Sequence, residues 1–344
     1  MSERTEELVR KFKKAVFKLL DNYTITRAPT NWLIRVLGEP YLAGHSLDEA
    51  VTSVNFASFT HTRFSTLDVL GEAAKVYDDA TRYQQAYTNL LHTLATQIQG
   101  PNGATISVKP SAICLCTETE TAVTFDARTP LEGTLEAIVS DAKSKGIGVT
   151  LDMEDFRYTD ASLQVAQTLW NKGYDNLGIV LQSRLNRTSN DIERLFGPET
   201  TYPIAKKKMR VRACIGIYDE SETIATKSKA EAKRRLVENI KQLFQCGVYV
   251  EIATHDHAVI HEVVQYIQDQ HIPATQFEFQ FLKGVQKAYD IEPKLRELGY
   301  KVRYYMPFEI KEGDGIPYTK RRLIANPDMI LSGAKNLWHK FMSY

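Results

Sequence analysis

The chain of 344 residues is longer than an average domain, and a single α/β barrel with additions accommodates it. Its 43 Lys and Arg against 42 Asp and Glu leave a formal net charge of +1, which removes the electrostatic case for nucleic acid. Hydrophobic content of 43% and charged content of 25% are those of a soluble globular protein, and no run of about 18 apolar residues exists to span a membrane.

The opening stretch, MSERTEELVRKFKKAVFKLL, is charged and helix-patterned and does not read as a signal peptide. Val9, Phe12, Val16, Phe17 and Leu20 recur at helical spacing until Pro29 breaks the pattern, and Trp32, Leu33 and Val36 mark a second short helix. Residues 1–45 therefore read as a helical arm, and 46–344 as the main domain. From residue 64 onward, short apolar runs rich in β-branched residues alternate with amphipathic stretches. Strands are expected at 66–70, 105–109, 148–152, 177–182, 209–214, 248–253, 277–280 and 302–306. Helical stripes lie between them: Val76, Ala80, Tyr83, Tyr87, Leu90 and Leu94; then Leu236, Val237, Ile240, Leu243 and Phe244; then Val259, Val263, Val264 and Ile267. An open doubly wound sheet alternates too, but eight such strands favour a closed (β/α)8 TIM-type barrel. Near the end, Leu337, Trp338, Phe341 and Met342 form a short apolar stripe that reads as packing against the barrel.

In such a barrel the chemistry gathers at the C-terminal ends of the strands. Those ends read Lys109, Asp152 with Glu154, Gln182, Arg212, Thr254–His255–Asp256, Glu278 with Gln280, and Tyr305: a polar, ligand-holding mouth. After the last strand, YTKRRLIANPD sets Arg321 beside Arg322, with Tyr318 one turn earlier. Paired guanidinium forks suit a carboxylate or phosphate; alone, they equally suit a solvated helix face. His255, His257 and His261 have neither an HExxH frame nor a cysteine at ligand spacing, so no metal is expected. Neither GxGxxG after a strand nor GxxxxGK[ST] occurs, which argues against a Rossmann cofactor domain or a P-loop. Cys114, Cys116, Cys214 and Cys246 lie in apolar segments and read as reduced thiols, pointing to the cytoplasm, with peripheral membrane contact left open.

Nine segments in order, covering residues 42 to 328, make the chain resemble the proline dehydrogenase family. They are AGHSLDEAV, LDVLGEA, SVKPSAI, TLDMED, GIVLQSRLNRT, RVRACIGIY, EIATHD, EFQFLKGV and YYMPF followed by YTKRRLIANP. The resemblance implies FAD-dependent oxidation of L-proline to Δ1-pyrroline-5-carboxylate, with hydride passing to the flavin and electrons to a quinone. By the same resemblance, Arg321, Arg322 and Lys109 clamp the substrate carboxylate, while Tyr305, Tyr318 and Tyr218 wall its ring. Asp152 lies close to the flavin and Lys109. Gln182 and Arg212 hydrogen-bond the flavin edge, and Thr254, His255, Asp256, Glu278 and Gln280 hold its phosphate and adenosine end, with Lys227 or Lys229 adding phosphate contacts.

Several positions depart from the family pattern: Ala213, Ile215, Ile217, Arg184, Glu309 where the family has Gly, and Ala325 where it has Glu. Ala213 and Ile217 either reshape the pocket or repack the core behind it. An altered pocket would favour hydroxyproline or another modified cyclic amino acid over proline. A barrel that binds a carboxylate ligand or a partner without catalysis is the remaining alternative.

Overall fold

The computed structural model describes residues 34–325, apart from 36–37, 62, 72 and 99–102. The helical arm before residue 34 and the apolar stripe at 337–342 lie outside the described residues. Eight parallel strands close into a barrel: β1 (Phe64–Leu70), β2 (Ala104–Val108), β5 (Val149–Leu151), β6 (Leu177–Gln182), β7 (Arg210–Cys214), β8 (Tyr249–Ala253), β9 (Phe277–Leu282) and β10 (Val302–Glu309). Their order around the cylinder is β1-β10-β9-β8-β7-β6-β5-β2. Every expected barrel strand is present, and an open sheet is excluded. A small antiparallel hairpin, β3 (Cys116–Glu118) with β4 (Val123–Phe125), is inserted after β2 and was not expected. Its three-residue strands are too short to carry a readable alternation.

The strands alternate with period two, and the alternation divides two environments. Leu67, Ile106, Val149, Ile179, Val211, Ile252, Phe279 and Tyr304 are buried and face outward onto the helices. Those helices are α1 (Leu47–His61), α2 (Tyr77–Gln97), α4 (Leu131–Ser144), α5 (Phe156–Asn171), α6 (Thr188–Phe196), α7 (Lys229–Gln245), α8 (His257–Asp269) and α9 (Gln286–Glu297), with the single turn α3 (Pro110–Ile113) following β2. The main apolar core is thus the ring between strands and helices. The stripes expected on α7 and α8 face it, with Val264 half-buried. On α2 the stripe begins at Ala80: Val76 has extended backbone, precedes the helix and is 56% exposed.

The interior of the cylinder is polar. At its floor, Arg303 grips Glu278 (2.5 and 3.1 Å), Lys301 lies 3.2 Å from the same carboxylate, and Arg210 reaches Glu251 (3.2 Å). After β10, α10 (Gly315–Ala325) carries Tyr318, Arg321 and Arg322. Residues 38–45 lie beside the end of β10, with Ala43 N–H donating to Pro307 O at 2.7 Å and Gly44 bridging to Phe308. Among the described residues no helix is long and apolar enough to cross a membrane.

Candidate active site

The mouth of the barrel is built where the inward-facing polar residues reach the C-terminal strand ends. Arg212, on β7, points across the interior. Its Nε donates to Gln280 Oε1 on β9 (2.7 Å), and its Nη1 to Asp152 Oδ1 after β5 (2.7 Å). Both terminal nitrogens lie 3.2 Å from Ser107 Oγ on β2. The other carboxylate oxygen of Asp152 accepts from the Tyr305 hydroxyl (2.8 Å), and Arg212 sits 5.3 Å from the centre of the Tyr305 ring. A buried charge is tolerable only with such a set of partners. Burial first, then the Asp152 and Asp68 charges, push the Tyr305 phenol well above its ordinary range, so it stays protonated and donates.

Lys109 follows β2 and meets Asp68, in the middle of β1, with both carboxylate oxygens 2.6 Å from its Nζ. Asp68 is 0% exposed. Burial pushes its carboxyl up to about 6, with Lys109 pulling the other way. Tyr318 is buried against Leu42 and Leu70. Burial raises its phenol, which lies within electrostatic range of Arg322, Asp68 and Lys109. Arg322 stands 5.2 Å from the centre of the Tyr318 ring. The same guanidinium acts on His255 and Cys214, which places α10 over the mouth. His255 is half-buried, and desolvation followed by the Arg322 charge pushes it down to about 3. Its Nε2 accepts from Leu282 N–H (3.0 Å), which leaves the proton of the neutral ring on Nδ1. Gln182 anchors its amide nitrogen on Glu154 O (2.7 Å). Next to it Gly216 has φ +98°, and a Cβ there would fall 2.5 Å from Gln182 Oε1, so only glycine keeps that space open.

Of the residues singled out from sequence, Lys109, Asp152, Gln182, Arg212, His255, Gln280, Tyr305, Tyr318 and Arg322 share this mouth. Tyr218 is half-buried in the loop after β7, and Arg321 is half-buried on α10. Thr254 is buried, its Oγ1 accepting from Asp256 N–H (3.2 Å). Asp256 caps α8 through Val259 N–H (3.1 Å) and pairs with Lys233 (2.6 Å). Lys227 is taken by Asp219 (2.8 Å). Glu278 lies deeper than a strand-end residue: β9 runs on to Leu282, so Glu278 is second in the strand and belongs to the floor. Among the described residues no three His, Cys, Asp or Glu side chains converge as metal ligands, and all four cysteines are free thiols.

Sequence reading missed Asp68, Ser107, Ser111 and Glu251. The signal for Asp68 was present: a carboxylate between apolar Leu67 and Val69 in a buried strand requires an internal cation. Ser111 fixes Glu154 through its hydroxyl (2.5 Å) and its amide (2.9 Å). Ala213 alternates with inward-facing Arg212 and therefore faces the outer core, where it is buried. Ile215 packs against the same core.

The family model for proline dehydrogenase matches residues 56–329. The chain belongs to the proline dehydrogenase family. Proline dehydrogenase 1 of Bacillus subtilis subsp. natto is 28% identical over 309 residues, covering 90% of this chain and 93% of its own. Proline dehydrogenase of Deinococcus radiodurans is 28% identical over 294 residues, 85% of this chain and 86% of its own. Among solved structures, proline utilization A of Bdellovibrio bacteriovorus superposes with a TM-score of 0.71 at 24% identity, covering 84% of this chain. That likeness is one of fold, and the chain spans about a third (32%) of that solved chain. Proline dehydrogenase membership accounts for the barrel.

Proposed function

We propose that this member of the family oxidises L-proline to Δ1-pyrroline-5-carboxylate with FAD as the hydride acceptor, and that the electrons pass on to a quinone at a membrane surface. The observation that carries the reading is the convergence of three cations, Lys109, Arg212 and Arg322, on one mouth, with a tyrosine ring behind each guanidinium.

The donor set fits a flavin. Arg212 offers a guanidinium locked in place by Asp152, Gln280 and Ser107, and Gln182 adds an amide beside the space that Gly216 keeps open. Gln182, Arg212 and Gln280 would hold the ring edge. Thr254 and the Nδ1–H of His255 would meet the phosphate and adenosine end, and Lys233 reaches the same helix terminus through Asp256. Glu278 is assigned no ligand contact. When bound, the flavin supplies a two-electron acceptor for the hydride released from the carbon beside the amine nitrogen.

The chain's own residues then bind and orient. Arg322, Arg321 and Lys109 grip the substrate carboxylate; Lys109 arrives already neutralised by Asp68 and so contributes a directed donor more than net charge. Tyr305, Tyr318 and Tyr218 enclose the ring. Fixing the reacting carbon this way draws on the roughly 7–11 kcal/mol available from proximity and orientation. The Arg212 cation stabilises negative charge arising next to it as the hydride leaves. Tyr305 keeps its proton on the bond to Asp152, so no strong base is generated at the mouth. The outward face of Ala213 removes one of the two pocket changes that favoured a modified cyclic amino acid, so proline is the substrate proposed.

The test is anaerobic addition of proline to the flavin-loaded protein. Loss of the visible flavin absorbance is expected, and its return on adding a quinone. A yellow protein that proline leaves unbleached would overturn the reading. A colourless protein that gains no absorbance with FAD would favour a non-catalytic ligand-binding barrel.

A further inference from the structure

Glu309 is a carboxylate only 2% exposed, standing at the end of β10. Burying such a group is costly unless it is fully hydrogen-bonded, so its partners indicate what it holds. One oxygen, Oε1, accepts from the backbone N–H of Gly315, the first residue of α10, at 2.7 Å. The other, Oε2, lies 2.7 Å from Nδ1 of His45. The second ring nitrogen of His45 faces Glu39 Oε2 at 2.8 Å, so both nitrogens point at carboxylates and both must donate. Glu309 therefore joins three pieces of chain: the end of β10, the start of α10 and the segment 38–45.

That segment is itself fastened on its other side. Lys283, after β9, donates to Leu42 O (2.7 Å) and Pro40 O (3.1 Å). Gly284 has φ +83°, and a Cβ there would lie 2.4 Å from Pro40 O. Leu42 packs on Tyr318, and Gly38 lies so close to Thr319 that a Cβ would come within 2.6 Å of its methyl group. The segment is thus a strap lying along α10, and Glu309 locks the strap and the helix to the same strand end. The backbone N–H groups of a helix's first turn have no partner within the helix, so a carboxylate on the first of them sets where the helix starts and how it is aimed. Tyr318 follows one turn on and Arg322 one turn beyond that.

We infer that Glu309 is a positioning residue for the substrate-carboxylate site: through Gly315 and the His45 strap it holds α10 so that its arginines face the mouth. The inference rests on the carboxylate-clamp reading above, and its test separates the two. In steady-state kinetics on the flavin-loaded full chain, Glu309→Ala raises KM for proline about tenfold with kcat within about twofold, the scale of a lost helix-end hydrogen bond. Glu309→Gln, which still accepts from Gly315 N–H, returns KM to within about threefold of the parent. Amide hydrogen exchange across residues 315–322 quickens in Glu309→Ala and not in Glu309→Gln. In an Arg322→Ala background, Glu309→Ala adds no further rise in KM, because it acts through that arginine.

Should Arg322→Ala raise KM while Glu309→Ala leaves it unchanged, the clamp stands and the positioning role is overturned. An equal KM rise from Glu309→Ala with and without Arg322 also overturns it. Should Arg322→Ala leave KM unchanged, the clamp itself has failed and takes the inference with it. If Glu309→Ala does not fold, His45→Ala, which frees only one side of the carboxylate, must give a KM rise of the same kind or the inference fails.

Discussion

At the floor of the barrel Glu278 is met by Arg303, Lys301 and the Tyr249 hydroxyl, and Glu251 by Arg210; at the mouth Arg322 rests on the ring of Tyr318, and among the described residues no carboxylate lies within ion-pair range of it. The two regions share one cylinder and the same residue types. They differ in whether the charges close on one another. Arg303, against the cost of burial, holds the Glu278 carboxyl below its usual range, while the second oxygen of Glu251 lies 3.6 Å from Arg212 above it. The mouth keeps a cation in excess of Asp68 and Asp152, which is the condition for attracting an anionic ligand. A polar barrel interior thus serves two ends: below, ion pairs fill space that aliphatic side chains fill elsewhere; above, cations and carboxylates line the rim.

The contrast is broken most severely from below. Glu278→Ala strands Arg303 in the floor and is expected to destabilise the protein by about 3–5 kcal/mol, read as a lower urea midpoint. A midpoint shift below about 1 kcal/mol would mean that the floor is not held by its ion pairs. Removing a mouth cation is expected to act on binding instead. Arg322→Ala, or Arg321→Ala, weakens proline binding by about 2–5 kcal/mol and leaves the urea midpoint near the parent value. A KM unchanged in Arg322→Ala contradicts the clamp. The finest probe is Tyr305→Phe, which removes the hydroxyl that donates to Asp152 and also acts on Asp68. It should cost about 0.5–1.5 kcal/mol in kcat/KM with the fold intact, and a loss several times larger would give the hydroxyl a direct part in the chemistry.

Much of this architecture is written openly in the sequence, and particular residues explain where it is not. The outward faces of the barrel strands are aliphatic or aromatic, so Leu177–Gln182 and Tyr249–Ala253 announce themselves. The inward faces do not, because Glu251, Glu278 and Arg303 look like interruptions until their partners are known. The apolar run that marks β9 in the sequence ends at Gln280, which puts Glu278 near the mouth; the ladder continues two residues further, with Leu282 opposite Tyr305. Asp68 shows locally as a carboxylate between apolar neighbours, but its lysine is 41 residues away, and no local pattern encodes that meeting. Arg322 was legible as one of a pair, but its direction toward the mouth depends on the Glu309 and His45 contacts, which join residues 264 positions apart. Local periodicity specifies elements; long-range charge pairing specifies the site.

The ladder between β1 and β10 runs through seven residue pairs, whereas β5 shares only three with each of its neighbours β2 and β6. Resistance to local opening is therefore uneven around the cylinder, deepest along the β1–β10 seam and shallowest on the β2–β5–β6 arc. The guanidinium-bearing helix hangs from the stiff side, while Asp152 stands on the pliant one. Fraying of the mouth thus begins beside the carboxylate that anchors Arg212, on the arc away from the strand that α10 follows.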